Sequence, residues 1–270
     1  MKTLLEVIQY AEFFLRHRGI DNSRREAEYL LADLLGLPLI DLYLEFENPI
    51  REIEIKKILS AVIRRGNHEP SAYILGKVSF CDITIKVNSN VLIPRQETEI
   101  LVNKIIEKLK KYDLTGKTLW DMCCGSGCIG HALKKKFPLL NVVLSDLSEK
   151  ALDVARQNGG DVSFRQGNLF DPFRGEVCDF FVCNPPYVDE HEYEELSLEV
   201  KTEPKMALVG GLSFYKAISR SLFDFLKPGG MAWLEIGTGQ GDSVKKLFNN
   251  QGKVENDWAG HNRFFSLERD

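Results

Sequence analysis

Leu119-Trp120-Asp121-Met122-Cys123-Cys124-Gly125-Ser126-Gly127-Cys128-Ile129-Gly130 decides the architecture. An apolar stretch ends in an acid, a glycine-rich turn follows, and an apolar helical pattern begins. Gly125 and Gly127 allow a tight turn and the approach of a ligand without a Cβ in the way. The helix behind them presents free N-terminal amides. Such a turn serves NAD, FAD or S-adenosyl-L-methionine, and a bare βα turn without ligand reads the same way. Outward from it, apolar strands are expected near 117–122, 141–146, 162–166, 177–183, 230–236 and 263–268. Helices are expected between them, near 127–136, 148–157, 213–226 and 240–248. This alternation predicts an α/β fold with a doubly wound, mostly parallel sheet.

The second strand, Val142-Val143-Leu144-Ser145-Asp146, ends in an acid about 20 residues past the glycines, the place for an acceptor of ribose hydroxyls. Asp121, Cys123, Cys124, Gly125, Ser126, Gly127 and Asp146 are the candidate cofactor residues, with Asn184 joining them from the fourth strand. Gly125, Gly127 and Gly130 also spell the dinucleotide fingerprint, so these residues alone leave NAD open.

The fourth strand, Cys178 to Cys183, runs into Asn184-Pro185-Pro186-Tyr187. Two prolines lock two φ angles near −65° and hold the preceding residues extended. The carbonyls of Asn184 and Pro185 are thereby fixed at the carboxyl edge of the sheet, where ligands bind in this architecture. Asn184 Oδ1 and the Pro185 carbonyl can each accept one N–H of a planar NH2 group. They would aim its delocalised lone pair at an activated methyl group, which is an orientation effect. Tyr187 is expected to supply a flat wall. Asp189, Glu190 and His191 read as loop surface. Asn184, Pro185, Pro186 and Tyr187 are the candidate catalytic residues.

Residues 1–70 read as a helical bundle. Leu4, Leu5, Ile8, Ala11, Phe14 and Leu15 share one face of a first helix. Ser23 with Glu26 predicts a capping box opening a second, and a third is expected from about Arg51 to Arg65. The segment holds ten Lys or Arg against twelve Asp or Glu, so it is no basic nucleic-acid arm. Protein docking is its expected role. Residues 71–96 read as a β-hairpin linker and loop, with strands at Tyr73-Ile74-Leu75 and along Ile83, Ile85 and Val87. Residues 97–270 form the catalytic domain. The net charge of the 270 residues is −4, which gives no bulk attraction to nucleic acid. Leu4-Leu5 runs straight into Glu6, so no export signal is expected, and no apolar run suits a membrane helix. Six cysteines without a CxxC pair fit reduced thiols in the cytoplasm. Cys123 and Cys183 end neighbouring strands, but small packing side chains are a better reading than a metal site.

The chain resembles the release-factor glutamine methyltransferases over nearly its whole length. Tyr73-Ile74-Leu75-Gly76, Val91-Leu92-Ile93-Pro94-Arg95-Gln96-Glu97-Thr98-Glu99, Asn184 to Tyr187, Glu203-Pro204, Gly210-Gly211, Phe214-Tyr215, Glu235-Ile236-Gly237 and Ala259 to Arg263 carry the resemblance. It implies a Rossmann-like class I methyltransferase with a seven-stranded sheet, a small all-α N-terminal domain and a β-hairpin linker. It implies S-adenosyl-L-methionine as cofactor and S-adenosyl-L-homocysteine as product, and it alone adds Leu169 to the cofactor residues. The implied substrate is the side-chain amide of the glutamine in the Gly-Gly-Gln motif of class I peptide-chain release factors. No stable nucleic-acid partner is implied. Arg95 and Glu97 are expected to line the substrate channel. Gln96, Cys123-Cys124 and Gly167-Asn168-Leu169-Phe170 depart from the family pattern. The alternative is a methyltransferase for an exocyclic amine of DNA or RNA, such as adenine N6.

Overall fold

The computed structural model describes residues 2–270. The chain divides into two compact units, Met1–Lys77 with Ser197–Thr202, and Val78–Leu196 with Glu203–Asp270. Five helices build the first: α1 (Leu4–His17), α2 (Ser23–Leu35), α3 (Leu39–Leu42), α4 (Glu52–Gly66) and α5 (Ser71–Leu75). Their apolar stripes meet in one core that includes Ile8, Leu15, Leu31, Leu42, Ile58 and Val62. Thr3 and Glu6 form a capping box at the start of α1. The box expected at Ser23 and Glu26 does not form. Asn22 caps α2 in a left-handed conformation, without a side-chain bond. Glu26 is drawn instead to Arg65 Nε at 2.7 Å and the Ser71 hydroxyl at 2.7 Å. Arg65 is buried and also donates to Glu199 at 2.8 Å.

A hairpin follows, β1 (Lys77–Phe80) with β2 (Ile83–Lys86). Tyr73-Ile74-Leu75 is not its first strand but the body of α5, ended by left-handed Gly76. The hairpin turns at Cys81 and Asp82, both at positive φ, 44° and 61°. Two such residues match the right-handed twist of the flanking strands.

The second unit continues with α6 (Gln96–Leu109), β3 (Thr118–Met122), α7 (Cys128–Lys136), β4 (Asn141–Asp146), α8 (Glu149–Gln157), β5 (Ser163–Gln166) and β6 (Cys178–Cys183). Then come α9 (Glu190–Glu195), α10 (Lys205–Leu208), α11 (Ser213–Phe225), β7 (Leu226–Glu235), α12 (Gly241–Leu247), β8 (Lys253–Asn256) and β9 (Asn262–Glu268). The seven strands stand in the order β5-β4-β3-β6-β7-β9-β8. The first five run parallel, and β9 is antiparallel to both β7 and β8. This is the class I methyltransferase sheet. Central β6 is buried along its whole length and β3 over all but its first residue, as helices on both faces require. Edge strand β8, Lys-Val-Glu-Asn, was not expected from the sequence. Its polar residues carry no strong strand pattern, and pairing with β9 makes the strand.

Close packing of α7 on β4 depends on Gly130. A Cβ there would stand 2.2 Å from Leu144 Cδ2, 3.1 Å from Val142 Cγ1 and 3.1 Å from Asp121 Oδ2. Gly130→Ala gains about 1 kcal/mol in helix propensity but overpacks a buried contact at a cost of about 1–3 kcal/mol. The expected result is a thermal midpoint lower by a few degrees, read by calorimetry. A raised midpoint would refute the packing argument.

Candidate active site

The turn after β3 is held in shape by backbone and side chain together. Cys124 N–H donates to the Ser145 carbonyl at 3.0 Å, and Gly127 N–H to the Cys124 carbonyl at 2.7 Å. Cys123, Gly125 and Gly127 all take positive φ, 56°, 54° and 75°. Cys123 therefore occupies a conformation that favours glycine. The two loop glycines have different reasons. A Cβ on Gly127 would lie 2.8 Å from Leu144 Cδ1 and 2.9 Å from the His131 ring, so packing requires its absence. A Cβ on Gly125 would meet nothing within 4 Å, because its face is open to a cavity.

That cavity is lined by Cys123, Cys124, Gly125, Ser126, Asp146, Leu169 and Asn184. Asp121 and Gly127 are not on its wall. Asp121 lies beneath the turn, buried, where its Oδ2 accepts the Gly130 N–H at 2.9 Å. Among the described residues, its Oδ1 and Ser145 Oγ are buried without a hydrogen-bond partner. Asp146, at the end of β4, accepts Gly125 N–H on Oδ2 and Ser148 N–H on Oδ1, each at 2.9 Å. A carboxylate has about four lone-pair sites, so two backbone donors leave it capacity for a diol. Leu147, Ala151 and Leu169 add apolar surface nearby. One acid on the wall with a second buried beneath the turn, an open glycine face and an apolar flank suit a cationic adenosyl sulfonium.

Burial pushes Asp121 up to about 7, with Asp146 adding to the shift and the Gly130 N–H opposing it. Asp146 is raised by burial against its backbone donors. Glu235 is pushed up to about 7 by burial, opposed by the Thr98 hydroxyl and by Arg263. A carboxyl with a raised folded-state pKa holds its proton in the fold after the unfolded chain has lost it. Its contribution to stability is full below the unfolded value near 4 and declines as pH rises through the folded value. The ligand-free protein is therefore expected to melt at lower temperature at pH 8 than at pH 5, with Asp121→Asn flattening the slope. A midpoint that climbs across that interval contradicts these protonation states.

Asn184 and Pro186 line the same cavity; Pro185 and Tyr187 do not. Tyr187, expected to supply a flat wall, is half-buried. Its ring packs against the core, and its hydroxyl donates to Glu235 Oε1 at 3.4 Å. Its carbonyl accepts Gln240 Nε2–H at 2.9 Å. Phe214 is an aromatic residue on the cavity wall. The tetrapeptide packs tightly against the Gly210 backbone, where a Cβ would lie 2.4 Å from the Pro186 carbonyl oxygen. Asp189, Glu190 and His191 are exposed, and Asp189 caps α9 through a capping box with Glu192.

Val91, Leu92 and Pro94 bring the loop before α6 to the cavity. Arg95 and Glu97 do not line it. Arg95 is ion-paired with buried Glu203, whose other oxygen accepts the Ile93 N–H at 2.9 Å. Gln96, the departure from the family pattern, opens α6. Thr98 lines the cavity from the first turn of that helix. Its hydroxyl is 2.7 Å from Glu235 Oε2 and 3.3 Å from Asn184 Nδ2. Glu203, Thr98 and Glu235 stood in the quoted motifs, but spacing alone gave them no role. Cys123 and Cys183 are adjacent, and burial and a hydrogen bond with Cys123 push the Cys183 thiol well up. All six cysteines are free, and among the described residues no His, Cys, Asp or Glu cluster suits a metal. Among them too, no helix is long and apolar enough to cross a membrane.

Residues 6–76 match the PrmC N-terminal domain, and residues 95–208 match the methyltransferase small domain. The chain is 42% identical over 274 residues to the release factor glutamine methyltransferase of Chlamydia trachomatis serovar L2, covering 97% of this chain and 93% of that one. It is 35% identical over 258 residues to the protein of the same name from Geobacter sulfurreducens, covering 93% and 89%. Among solved structures, the hMettl16 catalytic domain in complex with MAT2A 3′UTR hairpin 1 is 14% identical, with a TM-score of 0.54 and coverage of 88% and 89%. That last likeness is one of fold alone. Similarity at this level, end to end and through both domains, places the chain in one family: it belongs to the release factor glutamine methyltransferases.

Proposed function

We propose that the chain transfers a methyl group from S-adenosyl-L-methionine to the side-chain N5 of the glutamine in the Gly-Gly-Gln motif of class I peptide-chain release factors. The observation that carries this is one cavity lined jointly by Gly125, Asp146 and Asn184. The bound cofactor supplies an activated methyl group as electrophile. Asp146 would accept the ribose hydroxyls, and the open face of Gly125 leaves room for the chain beyond them. Leu169, with Leu147, offers the adenine an apolar flank. Asn184 Oδ1 and the Pro185 carbonyl would each accept one N–H of the glutamine amide. They turn its nitrogen towards the methyl group and stabilise the positive charge that grows there. Pro186 stiffens the loop that carries them, and Tyr187 anchors it to Glu235 and Gln240. As the new C–N bond forms and the S–C bond breaks, the nitrogen becomes acidic and releases its extra proton to water, so no strong base is needed.

The helical unit is proposed to dock the release factor. It exposes Ile40 at 71% and Leu44 at 82%, neighbours on α3 and the turn after it. Ile40→Asp with Leu44→Asp is expected to raise KM for the release factor several-fold and leave S-adenosylhomocysteine affinity unchanged. An unaltered KM removes this surface from docking.

The deciding assay offers labelled S-adenosylmethionine to a purified class I release factor and to the same factor with its Gly-Gly-Gln glutamine replaced by alanine. Label on the intact factor alone is the expected result. Label on neither, with transfer to DNA or RNA offered in parallel, would reassign the tetrapeptide to a nucleic-acid base.

A further inference from the structure

We propose that Thr98 and Glu235 are positioning residues that fix which way the Asn184 side-chain amide faces. The inference rests on the role given to Asn184 above and deepens it. An asparagine amide is useful here only if its oxygen faces the substrate NH2. Turned over, it would present a second NH2 to the first, donor against donor. Nothing in the asparagine itself sets the choice, so a neighbour must.

The neighbours are arranged to set it. Glu235 ends β7, and the parallel register Cys183 to Leu234 places it beside Asn184 at the end of β6. Thr98 comes from α6, 86 residues away in sequence, and is 2% exposed. A threonine hydroxyl has one proton and two lone pairs. With Glu235 ionised, its Oε2 takes that proton across the 2.7 Å contact. Only lone pairs then remain towards Asn184, and only the Nδ2 end of its amide can satisfy them, at 3.3 Å. The carbonyl oxygen is left as the other end of an amide that lines the cavity. A flipped Asn184 would set its oxygen against the Thr98 oxygen, two acceptors facing each other in a buried place. The relay thus favours the productive orientation by about 10–100-fold.

Glu235 is itself held firmly enough to serve as the fixed point. Its Oε1 accepts from the Tyr187 hydroxyl at 3.4 Å, and its carbonyl oxygen accepts the Tyr215 hydroxyl at 2.9 Å. Tyr187 belongs to the tetrapeptide, so the same carboxylate fixes both the loop and the amide that the loop begins with.

The test compares hydroxyl-free and hydroxyl-bearing residues at position 98 in the full-length enzyme. Thr98→Val is expected to lower kcat about twofold, because without the relay the two amide orientations are about equally populated. KM for the release factor should stay within about threefold, since contacts remote from the glutamine dominate binding of a large substrate. S-adenosylhomocysteine Kd and the thermal midpoint should change little. Thr98→Ala should behave as Thr98→Val does, and Thr98→Ser should restore most of the turnover. Asn184→Ala is assayed alongside. If Asn184→Ala is inactive but both hydroxyl-free variants turn over normally, the relay is wrong while the role of Asn184 stands. If Asn184→Ala itself retains turnover, the relay falls together with the reading beneath it. A loss in Thr98→Val and Thr98→Ala shared by kcat, ligand affinity and thermal midpoint means a structural role, and also overturns the proposal.

Discussion

Asn184→Ala is expected to lower kcat by about 10²–10³-fold while S-adenosylhomocysteine binds within about threefold of the wild-type affinity. The reason lies in the nucleophile. An amide nitrogen shares its lone pair with its carbonyl, so it reacts only when turned and held. Asn184 ends a fully buried strand and opens a loop stiffened by Pro185 and Pro186, which makes it a rigid acceptor. In the proposed arrangement, removing its side chain leaves one acceptor, the Pro185 carbonyl, and one hinge about which the substrate amide can swing. Asn184→Gln sharpens the prediction. It restores the chemistry of the group but moves it by one methylene, and a displacement of about 1 Å can cost about 10²-fold in an aligned reaction. Rescue by glutamine would mean that polarity matters here and position does not. Steady-state methyl transfer and calorimetric binding of the product separate these outcomes.

Asp146→Ala should act on the other quantity. Loss of the carboxylate proposed to accept the two ribose hydroxyls is expected to raise S-adenosylhomocysteine Kd by about 10²-fold. Part of that loss is local. Gly125 N–H and Ser148 N–H both lose their acceptor, so the turn that faces the ligand loosens as well. Asp146→Asn keeps one oxygen and should fall between the two. With saturating cofactor, kcat should recover to a large fraction of the wild-type value in both variants. A Kd within threefold of wild type for Asp146→Ala would move the ribose contact to another residue.

The parts of this site that could be read in the sequence are those where a residue type reports the backbone directly. Gly125, Gly127 and Gly130 announce a turn and a close approach, and Pro185-Pro186 announces a stiff exit from a strand. Asp146 is legible for the same reason, since a strand end and a fixed distance from the glycines define it. The central strands read well because burial on both faces makes them continuously apolar. The rest depends on contacts between distant residues. Ser23 and Glu26 have the right letters for a cap, yet Arg65 and Ser71 win the carboxylate. Tyr187 looks like a wall by its type, and Glu235 turns it inward. Thr98 meets Asn184 only because α6 begins and β6 ends at the same cavity. No local rule pairs residues 86 positions apart. Lys253–Asn256 becomes a strand because β9 offers it an edge, a fact about β9 rather than about those four residues.

Ser197–Thr202 folds with the helical unit although the chain on both sides of it belongs to the other. The polypeptide therefore crosses from one unit to the other three times. Recombination of such a protein cannot proceed by a single splice. The helical unit of this chain, moved alone into another protein, would carry Arg65 but not the glutamate at position 199 that the arginine holds. Its buried guanidinium would then face whatever residue the recipient carries. Natural or engineered exchange of the helical unit must move two separate pieces of gene together. The helical unit of this chain is thus inherited in step with the stretch that follows the Asn184–Tyr187 loop.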